Sequence, residues 1–77
     1  MRLQIKYFGM LTEITKCTEE TLLFSGMTVE ELLTQLKEIH PALNNKDFKV
    51  AVNHEIVDNA VQIEHSEIAL LPPFSGG

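Results

Sequence analysis

The sequence predicts an α+β fold, a mixed β-sheet with one main helix packed on one of its faces. Three observations carry that expectation. Apolar and polar residues alternate at the start of the chain. Apolar residues recur at helical spacing in one stretch, directly after Thr28. Short alternating segments then follow that stretch to near the end. The resulting order is strand, strand, helix, strand, short strand, strand.

The first strand covers residues 1–8. Met1, Leu3, Ile5 and Tyr7 fall on one face, and Arg2, Gln4, Lys6 and Phe8 on the other, the period of two of a half-buried strand. Phe8 interrupts the polar face. Residues 9–16 form a loop with a short helical turn. The second strand covers residues 19–24, with Leu22 and Phe24 opposite Thr21 and Leu23, and Ser25-Gly26 is turn chemistry. Thr28 is a helix N-cap type, and Glu31 three residues on completes a capping box. Val29, Leu32, Leu33, Leu36 and Ile39 share one helix face, while Glu30, Glu31, Gln35, Lys37 and Glu38 face solvent. Pro41 ends the helix near Ile39 or His40, because the residue before a proline avoids helical geometry.

Residues 44–47 form a loop. Phe48, Val50 and Val52 alternate with Lys49 and Ala51 in a third strand that ends near Asn53. Asn53-His54 is a tight turn into a short strand over residues 55–57. The last strand spans residues 67–71, with Ile68 and Leu70 inward and Ala69 and Leu71 outward. The first two strands pair as a hairpin. The last lies parallel beside the first, reached by a crossover through the helix.

The 77 residues suffice for one domain, expected to span residues 1–77 with 72–77 as a flexible tail. A chain of this size buries only ~60% of its unfolded surface, and a hydrophobic content of 44% still supplies a modest core. The net charge is −5 with no basic stripe, which argues against a nucleic-acid partner. An acidic surface suits basic protein partners, and it equally serves solubility. Cys17 is alone, so a disulfide scaffold is excluded. No apolar run approaches the ~20 residues that cross a bilayer, and no apolar leader follows Met1. The cytoplasm is the default compartment, with no membrane partner.

No catalytic set stands out. His40, His54 and His65 are widely spaced, fit no metal site and are expected at the surface. Cys17 has no adjacent base or helix N-terminus to lower its pKa. Glu19-Glu20 and Glu30-Glu31 are neighbours only in sequence: the first pair falls on opposite faces of a strand, the second lies on the helix, and all are expected to be solvated. The four glycines, Gly9, Gly26, Gly76 and Gly77, fit no nucleotide motif.

Chemistry is therefore expected at the end of the chain. Gly76 and Gly77 put a carboxylate on a backbone without side chains, which can enter a narrow channel of another protein. Pro72-Pro73 stops the last strand and gives the tail an extended start, with Phe74-Ser75 as spacer. Residues 72–77 reach at most ~20 Å when extended. Phe8 and Leu71 lie on the outward parity of their strands, and Ile56 lies near a turn. The three are expected to form an apolar patch at the base of the tail, where a partner docks.

The ending Leu70-Leu71-Pro72-Pro73-Phe74-Ser75-Gly76-Gly77 carries a resemblance, together with Ile5-Lys6-Tyr7-Phe8-Gly9, Thr28-Val29-Glu30-Glu31-Leu32-Leu33 and Val50-Ala51-Val52-Asn53. Over essentially its whole length the chain resembles the family of small, sulfur-carrying subunits of molybdopterin synthase. The Pro-Pro-x-x-Gly-Gly ending is the most specific part. The rest of the pattern is shared with many ubiquitin-like β-grasp proteins.

The resemblance implies a β-grasp fold and a carrier with no catalysis of its own. It implies that Gly77 is adenylated with ATP by a ubiquitin-activating-like adenylyltransferase. A sulfur donor protein then converts it to a thiocarboxylate, a C-terminal 1-thioglycine. The tail inserts into the large catalytic subunit and gives its sulfur to a cyclic pyranopterin for the molybdenum cofactor. Two small and two large subunits form the working complex, and the chain itself binds no cofactor. Phe8, Ile56 and Leu71 match the family's docking positions, and residues 72–76 (Pro72, Pro73, Phe74, Ser75, Gly76) line up with the inserted tail. A carrier for thiamine or another sulfurated product is an alternative, less favoured because such carriers often lack the double proline. A ubiquitin-like modifier, which would join Gly77 to a target lysine, is another. Glu64-His65-Ser66 departs from the Asp-Gly-Asp turn that relatives often carry before the last strand.

Overall fold

A computed structural model describes residues 1–64 and 67–73. The elements are β1 (Arg2–Tyr7), α1 (Leu11–Thr15), β2 (Glu19–Leu23), α2 (Val29–Ile39), a 3-10 turn (Pro41–Asn45), β3 (Lys49–Val52), β4 (Glu55–Val57) and β5 (Glu67–Leu71). They form a five-stranded sheet in the order β2-β1-β5-β3-β4. Strand β1 is antiparallel to β2 and parallel to β5, and β3 is antiparallel to both β5 and β4. With β1 and β5 side by side and one long helix on one face, this is the ubiquitin-like β-grasp arrangement.

The alternation in β1 builds that packing. Leu3, Ile5 and Tyr7 are buried, and so are Ile68 and Leu70 of the neighbouring β5. They meet Val29, Leu32, Leu33 and Leu36 of α2 in one core that also takes in Val50 and Val52 of β3. Met1, placed with the inward set by parity, is exposed, because β1 begins only at Arg2. The strand also ends one residue early, at Tyr7, although the Phe8 N–H still donates to the Leu70 carbonyl at 3.1 Å.

The expected capping box opens α2. Thr28 Oγ1 accepts from the Glu31 N–H at 3.3 Å, and Glu31 Oε1 accepts from the Thr28 N–H at 3.2 Å. Backbone N–H groups of Met27 and Thr28 hold the Glu31 carboxyl below its ordinary value. At the far end Ile39 is exposed, against expectation. Leu43 of the 3-10 turn is fully buried and fills the core there instead. That turn replaces part of the expected loop. Pro41 opens it, at a position where a missing N–H leaves no bond unmade.

Strands β1 and β2 pair as predicted, but α1 stands between them, so the connection is no tight hairpin. The β3–β4 connection is tight: Asn53 and His54 both adopt positive φ, 51° and 71°, as a two-residue hairpin turn of matching twist demands. Residues 65 and 66, and with them the departure at Glu64-His65-Ser66, fall outside the described residues. Among the described residues no helix is long and apolar enough to cross a membrane.

Candidate functional site

The face of the sheet turned away from α2 carries a groove of ≈ 360 Å³. Its floor follows from register. Lys6 of β1 pairs with Ala69 of β5, Ala69 with Ala51 of β3, and Ala51 with Ile56 of β4. Two alanines at the centre leave a depression, and larger side chains stand around it. Phe8 and Leu71 lie at the end where β1 and β5 finish together, and Ile56 lies on the β4 side. The structure thus brings Phe8, Ile56 and Leu71 around one apolar hollow. Phe8 is 45% and Ile56 50% exposed, and Leu71 is half-buried.

Charge sits on one part of the rim. Glu67 accepts Lys6 Nζ at 3.3 Å through one carboxylate oxygen and faces His54 Nε2 at 3.2 Å through the other. These groups are open to solvent, so the contacts add little stability. They do place a cation, a carboxylate and an imidazole beside an apolar floor, the composition of a protein-docking surface with a hydrophobic centre and polar rim.

At the base of the tail the two prolines part ways. Pro73 is exposed, while Pro72 is buried in the chain itself, its ring lying over Gly9. Sequence reasoning assigned Pro72 to a partner contact. The intramolecular contact takes up its ring instead, because parallel β1 and β5 end side by side and their following residues meet. Phe74, Ser75, Gly76 and Gly77 lie outside the described residues.

A second polar constellation escaped the sequence. On the core side of the sheet, the Tyr7 hydroxyl donates to Glu20 Oε2 at 2.5 Å, and His40 Nε2 lies 2.6 Å from the same oxygen. The Cys17 thiol approaches it at 3.8 Å, and the Tyr7 and His40 rings meet edge to face with centroids 6.0 Å apart. Burial pushes the Glu20 carboxyl up, but hydrogen bonds from Tyr7, His40 and Cys17, with the charge of His40, outweigh it and hold the group below its ordinary value. Burial first, then the bond to Glu20 and its charge, push the Tyr7 phenol far above its ordinary value of 10.0. Glu20 is therefore not a solvated carboxylate and His40 not a surface histidine. A signal was present: Glu20 shares the parity of inward Leu22 and Phe24, and Tyr7 that of Leu3 and Ile5. Among the described residues no group of three or more His, Cys, Asp or Glu side chains is placed to hold a metal ion.

The chain is similar along its length to proteins of known description. A molybdopterin synthase sulfur carrier subunit of Chlamydomonas reinhardtii is 35% identical, the match covering 100% of both chains. The structure of small archaeal modifier protein 1 from Haloferax volcanii superposes with a TM-score of 0.82 at 27% identity, over 100% of both chains. A Pyrococcus furiosus protein described as molybdopterin converting factor, subunit 1, shares the fold with a TM-score of 0.85 at 21% identity, over 95% of this chain and 98% of that one. The model of the ThiS family matches residues 5–77. The chain belongs to the ThiS family, and it is related along its whole length to a molybdopterin synthase sulfur carrier subunit.

Proposed function

We propose that this chain is the sulfur carrier subunit of a molybdopterin synthase, working in the cytoplasm. The observation that carries the reading is the full-length, 35% identity to such a carrier. The apolar groove at the base of the tail supports it, since a carrier needs a surface on which to dock before its end can be used.

In this reading the carboxylate of Gly77 attacks the α-phosphorus of ATP on an activating adenylyltransferase, and pyrophosphate leaves. A carboxylate is a poor electrophile, and the acyl adenylate gives it a good leaving group. Hydrosulfide delivered by a donor protein adds to the acyl carbon, expels AMP and loses its proton, leaving a thiocarboxylate. The large catalytic subunit receives the groove formed by Phe8, Ile56 and Leu71. It supplies the groups that position tail and pyranopterin, by proximity and electrostatic stabilisation. The carrier contributes the reach of its tail and the docking of its sheet, and no catalytic set of its own.

The test is the intact mass after incubation with the activating enzyme, ATP and a sulfur donor. One oxygen of the terminal carboxylate exchanged for sulfur is the expected product. A second reading, conjugation of Gly77 to lysines, is favoured by the likeness to the archaeal modifier protein. Conjugates without any thiocarboxylate would decide for it.

A further inference from the structure

Strands β1 and β5 run parallel and finish together, so the residues just beyond them meet. Gly9 has φ +58°, and a Cβ built on it would stand 2.7 Å from Pro72 Cγ and 3.6 Å from Cδ. The seat under the ring is held on several sides. The Phe8 N–H donates to Leu70, and the Gly9 carbonyl accepts from the Thr12 N–H at 3.2 Å and from Thr12 Oγ1 at 2.9 Å.

Two separate demands fall on Gly9. The positive φ favours glycine but also admits asparagine. The ring contact admits no Cβ of any kind: non-bonded carbons settle at ~3.5–4.0 Å, so any side chain must push the proline back by about 1 Å. The contact therefore asks for glycine more strictly than the backbone does, and what it holds in place is the last buried residue before the tail.

We infer that Gly9 is a positioning residue for the tail. Its contact with the Pro72 ring fixes the point and direction from which the chain leaves the sheet, next to Phe8 and Leu71 at the mouth of the groove. The inference rests on the reading of Gly77 as the group that is loaded. Residues 73–77 span at most ~17 Å when extended, and that reach is counted from where the Pro72 ring is held. A displacement of about 1 Å at a reacting group costs up to ~10²-fold in rate.

The experiment uses the full chain with Gly9→Ala, Gly9→Asn, Pro72→Ala and the Gly9→Ala/Pro72→Ala pair. Steady-state loading of Gly77 is followed with the activating enzyme, ATP and the sulfur donor. Both Gly9 variants should lower kcat about tenfold or more with a smaller change in KM, since neither removes a side chain of the groove. Pro72→Ala should lower kcat less, and the pair should fall short of the product of the two single effects, as for residues acting through one contact. Residual dipolar couplings of the Pro72 and Pro73 Cα–Hα bonds provide a readout independent of sulfur, and both Gly9 variants should change them. Wild-type kcat in Gly9→Asn, or unchanged couplings in both Gly9 variants, overturns the inference. Should Gly9→Ala fail to fold, Pro72→Ala carries the same two readouts. A wild-type chain that is never loaded refutes the reading of Gly77 alone, and the couplings still decide whether Gly9 sets the departure of the tail.

Discussion

Replacing Tyr7 with phenylalanine removes one hydroxyl from the cluster around Glu20 and leaves the ring, which is 2% exposed, in place. A hydrogen bond to a charged partner contributes about 1.5–3 kcal/mol. His40 stays 2.6 Å from the same oxygen and keeps Glu20 partnered, so the lower end applies, about 1.5 kcal/mol. For a domain of this size that lowers Tm by roughly 6–12 °C. The pH dependence is the sharper test. The folded phenol titrates above its ordinary value of 10.0, so the folded chain keeps a proton that the unfolded chain releases. The stability this supplies is complete below pH 10.0 and is lost as pH rises beyond it, by about 1.4 kcal/mol per pH unit for one group. Glu20 has the opposite sign. Its folded carboxyl lies below the ordinary 4.5, so its contribution is present above that pH and is lost as pH falls through the folded value. Urea unfolding at a series of pH values should give a wild-type curve that drops on both arms and a Tyr7→Phe curve that is lower at neutrality and flatter on the alkaline arm. The chain has one tyrosine, so phenolate absorbance reports this group alone. Phenolate forming near pH 10 in the folded protein, or parallel curves for the two proteins, would refute the reasoning.

Phe8→Ala or Ile56→Ala should weaken binding to the large subunit by about 1–2 kcal/mol, roughly five- to thirtyfold in Kd by titration calorimetry. Unfolding free energies should stay within about 0.5 kcal/mol of wild type, as for surface positions. Thr28→Ala removes the cap that accepts from the Glu31 N–H and should cost about 1 kcal/mol, read from the urea midpoint at constant slope. Deleting Gly77 should abolish sulfur loading in the mass assay while the circular dichroism spectrum and Tm remain those of the full chain.

The sheet and the long helix were legible because their signals are local and repeated. Leu3 and Ile5 alternate with polar residues, Val29 to Leu36 keep helical spacing, and Thr28 with Glu31 marks where the helix begins. The groove was half legible. Parity alone sets Phe8 and Leu71 on the outer face, but the hollow between them depends on Ala51 and Ala69 lying opposite each other, and register is a property of the pairing. The Tyr7, Glu20 and His40 cluster and the Gly9–Pro72 contact join residues far apart in the chain. Each member, taken alone, follows a common pattern: a strand glutamate, a histidine before a proline, a glycine after a strand. Only the fold reveals that they touch. Ile39 went wrong for the reverse reason, since its spacing is right but Leu43 arrives from the next turn to occupy the space.

Among the described residues strand β5 is the last element in chain order, and it sits in the middle of the sheet, between β1 and β3. Strands β2-β1 and β3-β4 form two pairs, and within the sheet only residues 67–71 hydrogen-bond to both. Without β5 the sheet is two half-sheets with open edges, and the segment that follows Pro72 continues directly from the strand that joins them. A sheet that lacked β5 would leave β1 and β3 with unpaired backbone, so the ladder beneath the tail is also what closes the sheet.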